Sequence, residues 1–113
     1  MSSGYPHELP YNREKLLQEY ADYYSVDDEN SLRPLFDDVH QSYLLLDTSW
    51  YGREYVHHTP IHVDIINDKI WIQYDDTENG FATDLLEAGV PAQDIVLGFR
   101  PPELRVHTEF AVA

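Results

Sequence analysis

The sequence predicts a single α+β domain in which helices cover one face of a mainly antiparallel sheet. Two observations lead to this fold class. A helical pattern of apolar residues over residues 12–24 precedes strand-like segments between residues 38 and 75. A second helical segment and a short apolar strand follow within residues 78–99. The predicted order is an N-terminal helix, an antiparallel β-meander, a second helix and one or two short C-terminal strands.

The first helix is predicted over residues 12–24, with Asn12 as its N-cap. Its apolar face consists of Leu16, Leu17, Tyr20, Ala21 and Tyr24. Residues 1–11 are interpreted as an N-terminal extension, and residues 12–113 as one domain, since a chain of 113 residues supports a single core. The acidic residues 25–30 are predicted to form a loop.

The meander is predicted to contain three strands, at residues 39–50, 53–66 and 69–75. Tyr51-Gly52 forms the first turn. Asn67-Asp68 forms the second, because Asn and Asp tolerate positive φ. Pro60 interrupts the second strand and predicts an edge position or a bulge near residues 58–60.

The second hairpin can be read in register from its turn. Val63 then lies opposite Ile72, and Ile61 lies opposite Tyr74. The resulting apolar face consists of Ile61, Val63, Ile65, Ile70, Ile72 and Tyr74. The polar face consists of His62, Asp64, Trp71, Gln73 and Asp75. We expect the helices to pack on the apolar face.

The second helix is predicted from residue 78 or 79 to Ala88, with Asp76 and Thr77 as candidate caps. Gly89 is the expected left-handed residue at its C-terminal end. Residues 95–97 with Phe99 predict a short buried strand. The apolar end of the chain is expected to return as an edge strand or to lie over the sheet.

The charge of the chain bears on its partners. The chain has seven Lys and Arg residues and 21 Asp and Glu residues, so its formal net charge is −14. DNA affinity depends on neutralising phosphates, so we predict no direct binding to nucleic acid. The acidity either serves solubility or attracts a basic protein partner. There is no cysteine, and no run of about 18 apolar residues that would predict a membrane span. We expect a cytoplasmic protein.

No enzyme signature is found, and we predict no catalytic residue, no metal and no cofactor. The sequence has no nucleophile elbow and no Gly-rich phosphate loop. One alternative is a metal-dependent enzyme that uses His58, His62 and Asp64, which strand alternation would place on one face. A polar surface facing solvent or a partner is the simpler interpretation of these residues.

The candidate partner-binding residues form two groups. The first lies on the polar face of the hairpin and consists of Trp71, His62, Asp64 and Gln73. Tryptophan is enriched at interface hot spots, but a C-terminal segment would equally explain its presence by covering it. The second group consists of Arg100, Pro101, Pro102 and Arg105. It is either a docking loop or a corner between strands, and its two arginines are the candidates for direct DNA binding.

The chain from about Tyr43 onwards resembles the XisI family, the fdxN element excision controlling factors of cyanobacteria. The resemblance is carried by IHVDI (61–65), KIWIQYD (69–75), DLLEAGVP (84–91), DIVLGF (94–99), PPE (101–103) and FAVA (110–113). It implies an accessory role in the programmed excision of a DNA element, beside a companion called XisH, while a separate site-specific recombinase exchanges the strands. No active site is implied.

The partners expected from these observations are an XisH-like protein or a recombinase, and a second copy of the chain. A homodimer is expected through sheet or tail surfaces, because Trp71 and the apolar residues 110–113 need cover.

Overall fold

The computed structural model describes Lys15, Gln18, Glu19, residues 32–77 and residues 80–113. These residues form a five-stranded mixed sheet with the order β1-β2-β3-β4-β5. The strands are β1 (Leu32–Asp37), β2 (Ser42–Tyr51), β3 (Glu54–Ile66), β4 (Lys69–Asp75) and β5 (Ile95–Leu97). The first four are antiparallel, and β5 runs parallel to β4. The α+β class is confirmed, but the meander has four strands instead of three.

The helix Phe81–Glu87 makes the crossover from β4 to its parallel neighbour β5. It begins two or three residues later than predicted, and Gly89 after it has a φ of +102°, as expected of a left-handed residue. A 3-10 turn (Ala92–Asp94) precedes β5, and a short helix (Pro102–Arg105) follows it.

Lys15, Gln18 and Glu19 are helical and exposed. The rest of the predicted first helix, the loop at residues 25–30 and the N-terminal extension lie outside the described residues.

The strand β1 was not predicted, and the prediction of a strand starting at residue 39 was wrong. A turn at residues 38–41 separates β1 from β2. The Asp37 carboxylate accepts the backbone N–H groups of Val39 and His40, at 3.1 and 3.2 Å. The His40 ring also binds this carboxylate. This contact, together with the two backbone hydrogen bonds, lowers the pKa of Asp37 below its usual value. Asp37 therefore organises the turn through its own side chain.

The hairpin of β3 and β4 turns at Asn67-Asp68, where both residues have positive φ as predicted. The pairing of Val63 with Ile72 is also confirmed. Beyond it the register shifts, so that His62 pairs with Tyr74 and leaves Gln73 as the extra residue of a β-bulge. The predicted place of Tyr74 on the apolar face was wrong, because the bulge turns it out to 45% exposure.

A second bulge lies in β3, as Pro60 predicted. Leu45 pairs with Ile61 and Asp47 with His58, so Thr59 and Pro60 share the single residue between them on β2. An extra residue resets the period-2 alternation of a strand. The alternation that placed His58 beside His62 therefore does not hold across this bulge.

The core lies between the sheet and the crossover helix. Its buried residues are Tyr43, Leu45, Ile61, Val63, Ile65, Ile70, Ile72, Phe81, Leu85, Val90 and Ile95. Five of the six predicted apolar-face residues belong to it. Ala111 is buried and forms a parallel bridge with Val96, so the end of the chain lies beside β5. In the described part of the chain, no helix is long and apolar enough to cross a membrane.

Candidate partner-binding site

The candidate site is a row of side chains that crosses three strands on the face opposite the core. Ser42 on β2 pairs with Asp64 on β3, and Asp64 pairs with Trp71 on β4. Residues directly opposite each other in antiparallel strands share a face and lie close together. The pairing therefore places these three side chains side by side.

Asp64 is the centre of this row and accepts three hydrogen bonds. The Ser42 hydroxyl donates to Oδ1 at 2.6 Å, and the Gln73 amide donates to Oδ2 at 3.1 Å. Nε2 of His62 lies 3.0 Å from Oδ1. A carboxylate has about four acceptor sites, so three of them are occupied within the chain. We call Ser42, His62, Asp64 and Gln73 the Asp64 cluster.

Gln73 reaches Asp64 from the polar face of β4. Alternation from Trp71 places its side chain on this face, and its amide donates to Asp64. Gln73 is also the extra residue of the bulge, between the pairs Val63–Ile72 and His62–Tyr74. The bulge changes the face of the residues that follow, so that Asp75 lies opposite the buried Ile61.

Trp71 is covered on one side by the guanidinium group of Arg105, whose Cζ lies 5.0 Å from the ring centroid. Arg105 is itself held by main-chain carbonyls. Its Nε donates to Leu97 and Arg100, at 3.3 and 3.0 Å, and its Nη1 donates to Val112 at 3.2 Å. The C-terminal segment therefore covers Trp71 in part, which was one of the two alternatives that the sequence left open.

Gly98 allows the chain to pass close to this stack. A Cβ atom at position 98 would lie 2.7 Å from Oε1 of Gln73 and 3.2 Å from Cε3 of Trp71. The backbone N–H of Gly98 donates to the carbonyl of Ile72 at 2.8 Å. A methyl group at this position would displace the end of the Gln73 side chain and crowd the Ile72 carbonyl oxygen. Sequence reasoning missed Gly98 as a site residue, although a glycine after a buried strand can signal close backbone approach.

The structure brings together five of the eight predicted partner-binding residues: Trp71, His62, Asp64, Gln73 and Arg105. Arg100 is exposed and packs over the ring of Phe99 at 5.3 Å. Pro101 and Pro102 are exposed, and Pro102 starts the short helix, where its missing N–H has no cost. This segment is a helical corner.

The three residues of the metal alternative do not converge. Nε2 of His58 lies 2.6 Å from Oδ2 of Asp76, and its ring meets the edge of Tyr74. His62 instead binds Asp64. Across Lys15, Gln18, Glu19 and the two long described stretches, no group of three or more His, Asp or Glu side chains is placed to hold a metal ion.

The Asp64 cluster contains the residue types of a hydrolytic triad, but in an order that does not produce a nucleophile. In such a triad the serine bonds to histidine, which removes its proton, and the aspartate orients the histidine. Here Ser42 and His62 both bind the same oxygen of Asp64. The Ser42 proton thus points to a carboxylate and not to an imidazole base. The arrangement suits hydrogen-bonded recognition.

The arginines of the site are poorly placed to grip DNA. Phosphate recognition by arginine needs the free fork of its N–H donors. The Nε and Nη1 donors of Arg105 already bind main-chain carbonyls. Of the two arginines, Arg100 is the exposed one. The chain around them has a formal net charge of −14.

Fold and site together define a small α+β domain with an acidic chain and a pre-formed polar face. The chain belongs to the XisI family, because the family model described as XisI protein matches residues 11–112. No curated protein matches it.

Two solved structures from Anabaena variabilis are similar to it. One is the fdxN element excision controlling factor XisI, with 35% identity, a TM-score of 0.75, and coverage of 92% of this chain and 95% of that one. The other is a XisI-like protein with 30% identity, a TM-score of 0.75, and coverage of 89% and 96%.

Proposed function

We propose that this protein is a non-catalytic accessory factor in the programmed excision of a DNA element, and that it acts by binding a protein partner. The partner is an XisH-like protein or the recombinase itself. Membership of the XisI family supports a role in excision control, because a similar structure carries the name of an excision controlling factor. Such a role requires a location in the cytoplasm.

The observation that carries the binding mechanism is the pre-formed polar face made by the Asp64 cluster and the Trp71–Arg105 stack. Its side chains are held by hydrogen bonds and by stacking before any partner arrives. Fixing side chains on association is costly, so a surface that is already fixed retains more of its binding energy. The tryptophan supplies a candidate hot spot beside the polar groups.

The charge of the chain selects the kind of partner. With a formal net charge of −14, the protein repels the phosphate backbone and attracts basic proteins. Proteins that handle DNA carry basic surfaces for that purpose. An acidic domain that binds such a surface can restrain or position the DNA-handling protein without touching DNA.

A binding experiment tests the mechanism. The purified chain is immobilised, and an XisH-like protein and the recombinase are passed over it separately at low and high salt. We expect one of them to bind, with an affinity that falls as salt rises. Asp64→Asn and Trp71→Ala should weaken binding at least about tenfold. Val39→Ala is the control, since Val39 is exposed in the β1–β2 turn and makes no contact in the Asp64 cluster or in the Trp71–Arg105 stack.

An excision assay tests the role. A reporter plasmid that carries the element is combined with the recombinase, with or without this protein. We expect excision to change when the protein is added, and to be absent when the recombinase is omitted. Excision without the recombinase would contradict a non-catalytic role. A sub-micromolar shift of duplex DNA by the chain alone would contradict the protein-binding mechanism.

A further inference from the structure

Among the described residues, the hairpin of β2 and β3 extends beyond the other strands of the sheet. Within that part of the chain, the last pair of β1 with β2 is Leu32 with Asp47, and the last pair of β4 with β3 is Asp75 with Ile61. In the described part of the chain, residues 48–57 pair only with each other. We call them the aromatic ribbon. A two-stranded hairpin is marginally stable alone in water, so a projecting one gains from further contacts.

The ribbon exposes aromatic side chains on its surface. Trp50 pairs with Tyr55 across the hairpin, and their ring centroids are 5.0 Å apart. Trp50 is 67% exposed and Tyr55 is 51% exposed. Tyr51 beside them is also about half exposed. Neither Trp50 nor Tyr55 contributes to the core cluster, and exposed aromatics at such density are characteristic of interfaces.

The base of the ribbon is ordered by Asp47. Its carboxylate accepts the Ser49 hydroxyl at 2.8 Å and the Tyr51 hydroxyl at 3.2 Å. Ser49 is buried. These contacts hold Tyr51 on the face opposite Trp50 and Tyr55, because successive residues of a strand point to opposite faces. The ring contact between Trp50 and Tyr55 orders the exposed pair itself, which lowers the entropy lost on binding.

The charge of the ribbon distinguishes it from the chain as a whole. Between residues 48 and 57 the charged side chains are Arg53 and Glu54, so the formal charge is +1 − 1 = 0, against −14 for the chain. If two copies met through another part of the surface, the contact would on average bring negative charges together. Arg53 and Glu54 are adjacent and both exposed. In a two-fold dimer, each Arg53 can face Glu54 of the other copy, which makes the tip self-complementary.

We propose that two copies of this chain associate through their aromatic ribbons. Trp50 and Tyr55 of one copy pack on the same residues of the other, and Arg53 pairs with Glu54 across the two-fold axis. This moves the expected homodimer away from the tail, because Ala111 is buried beside β5 within one chain. It leaves the face around Trp71 to the protein partner. The dimer does not depend on the Asp64 cluster, so partner binding and dimerisation can each fail alone.

Sedimentation of the full chain over a concentration series tests the interface. We expect a species of twice 13.2 kDa that dissociates on dilution. Trp50→Ala should raise the dimer dissociation constant at least about tenfold. Val39→Ala should leave it unchanged, since Val39 is an exposed apolar residue outside the ribbon. Circular dichroism of each variant verifies that it is folded.

Charge reversal tests the orientation of the two copies. Arg53→Glu and Glu54→Arg should each weaken the dimer, because each places like charges across the axis. The double variant Arg53→Glu/Glu54→Arg should restore it, since the pairing is merely exchanged. A wild-type chain that stays monomeric overturns the proposal. A dimer that responds neither to Trp50→Ala nor to charge reversal also overturns it, because its interface then lies elsewhere.

Discussion

The carboxylate of Asp75 accepts the backbone N–H of Phe81, so the last residue of β4 caps the helix that follows it. The same side chain accepts hydrogen bonds from the backbone and hydroxyl of Thr77, at 2.9 and 2.6 Å. The bulge at Gln73 makes this possible, because it turns Asp75 into the position opposite Ile61. The assignment of the cap to Asp76 or Thr77 was wrong, and Asp76 pairs with His58 instead.

Asp75→Ala should lower the free energy of unfolding by about 1–2 kcal/mol, because it leaves the first helix N–H, that of Phe81, and the two donors of Thr77 without their acceptor. Asp76→Ala is the control. It removes an exposed hydrogen bond with His58 that contributes about 1 kcal/mol or less. Chemical denaturation of the two variants measures the difference. Equal losses would show that the Asp75 cap has no special role.

Gly98→Ala should destabilise the domain by about 1–3 kcal/mol, as overpacking does in a filled site. The added methyl group would meet Oε1 of Gln73 at 2.7 Å and the carbonyl oxygen of Ile72 at 3.1 Å. The double variant Gly98→Ala/Gln73→Ala should recover part of the loss, because it removes the nearest of these atoms. Thermal melts of both variants provide the measurement. A Gly98→Ala protein as stable as the wild type would rule out the close approach.

The fold was predictable where the local pattern and the tertiary structure agree. The turn at Asn67-Asp68, the bulge at Pro60 and the buried strand after Gly89 follow from residue chemistry alone. The strand β1 was missed because it contains Pro34 and is largely exposed, so it lacks the usual strand pattern. The turn before β2 has no glycine or proline, and its signal is the Asp37 side chain that binds the two following N–H groups.

The site was predictable only in part. His62, Asp64, Trp71 and Gln73 share a face by simple alternation from the hairpin turn. Ser42 could not be found this way, because it enters the Asp64 cluster through the pairing of β2 with β3, whose register depends on a bulge. Arg105 reaches Trp71 through the helical corner at Pro102, which no periodic pattern in the sequence indicates.

Ile72→Asp should unfold the domain, whereas Asp64→Ala should not. Ile72 is fully buried, and an unpaired buried charge costs several kcal/mol out of roughly 5–15 kcal/mol for a domain. A solvent-exposed aspartate without partners would cost about 0.5 kcal/mol or less on replacement by alanine. For Asp64→Ala we expect a loss of about 1–2 kcal/mol, because three neighbours lose their acceptor. Circular dichroism at room temperature separates the unfolded variant from the folded one.

Asp84→Asn should stabilise the protein at neutral pH by a few tenths of a kcal/mol, as expected for the removal of a like-charge pair on a helix. Desolvation by burial and the charge of Glu87 both raise the pKa of Asp84 above its usual value of 3.8. The folded state then holds the proton more tightly than the unfolded state, so this carboxyl lowers stability as pH rises from about 3.8 through the raised pKa. The asparagine has no such charge.

The stability difference between the variant and the wild type should therefore be present at pH 7 and vanish below the unfolded-state pKa. Denaturation curves of both proteins across this pH range measure it. A difference that stays constant with pH would show that ionisation of Asp84 is not its cause.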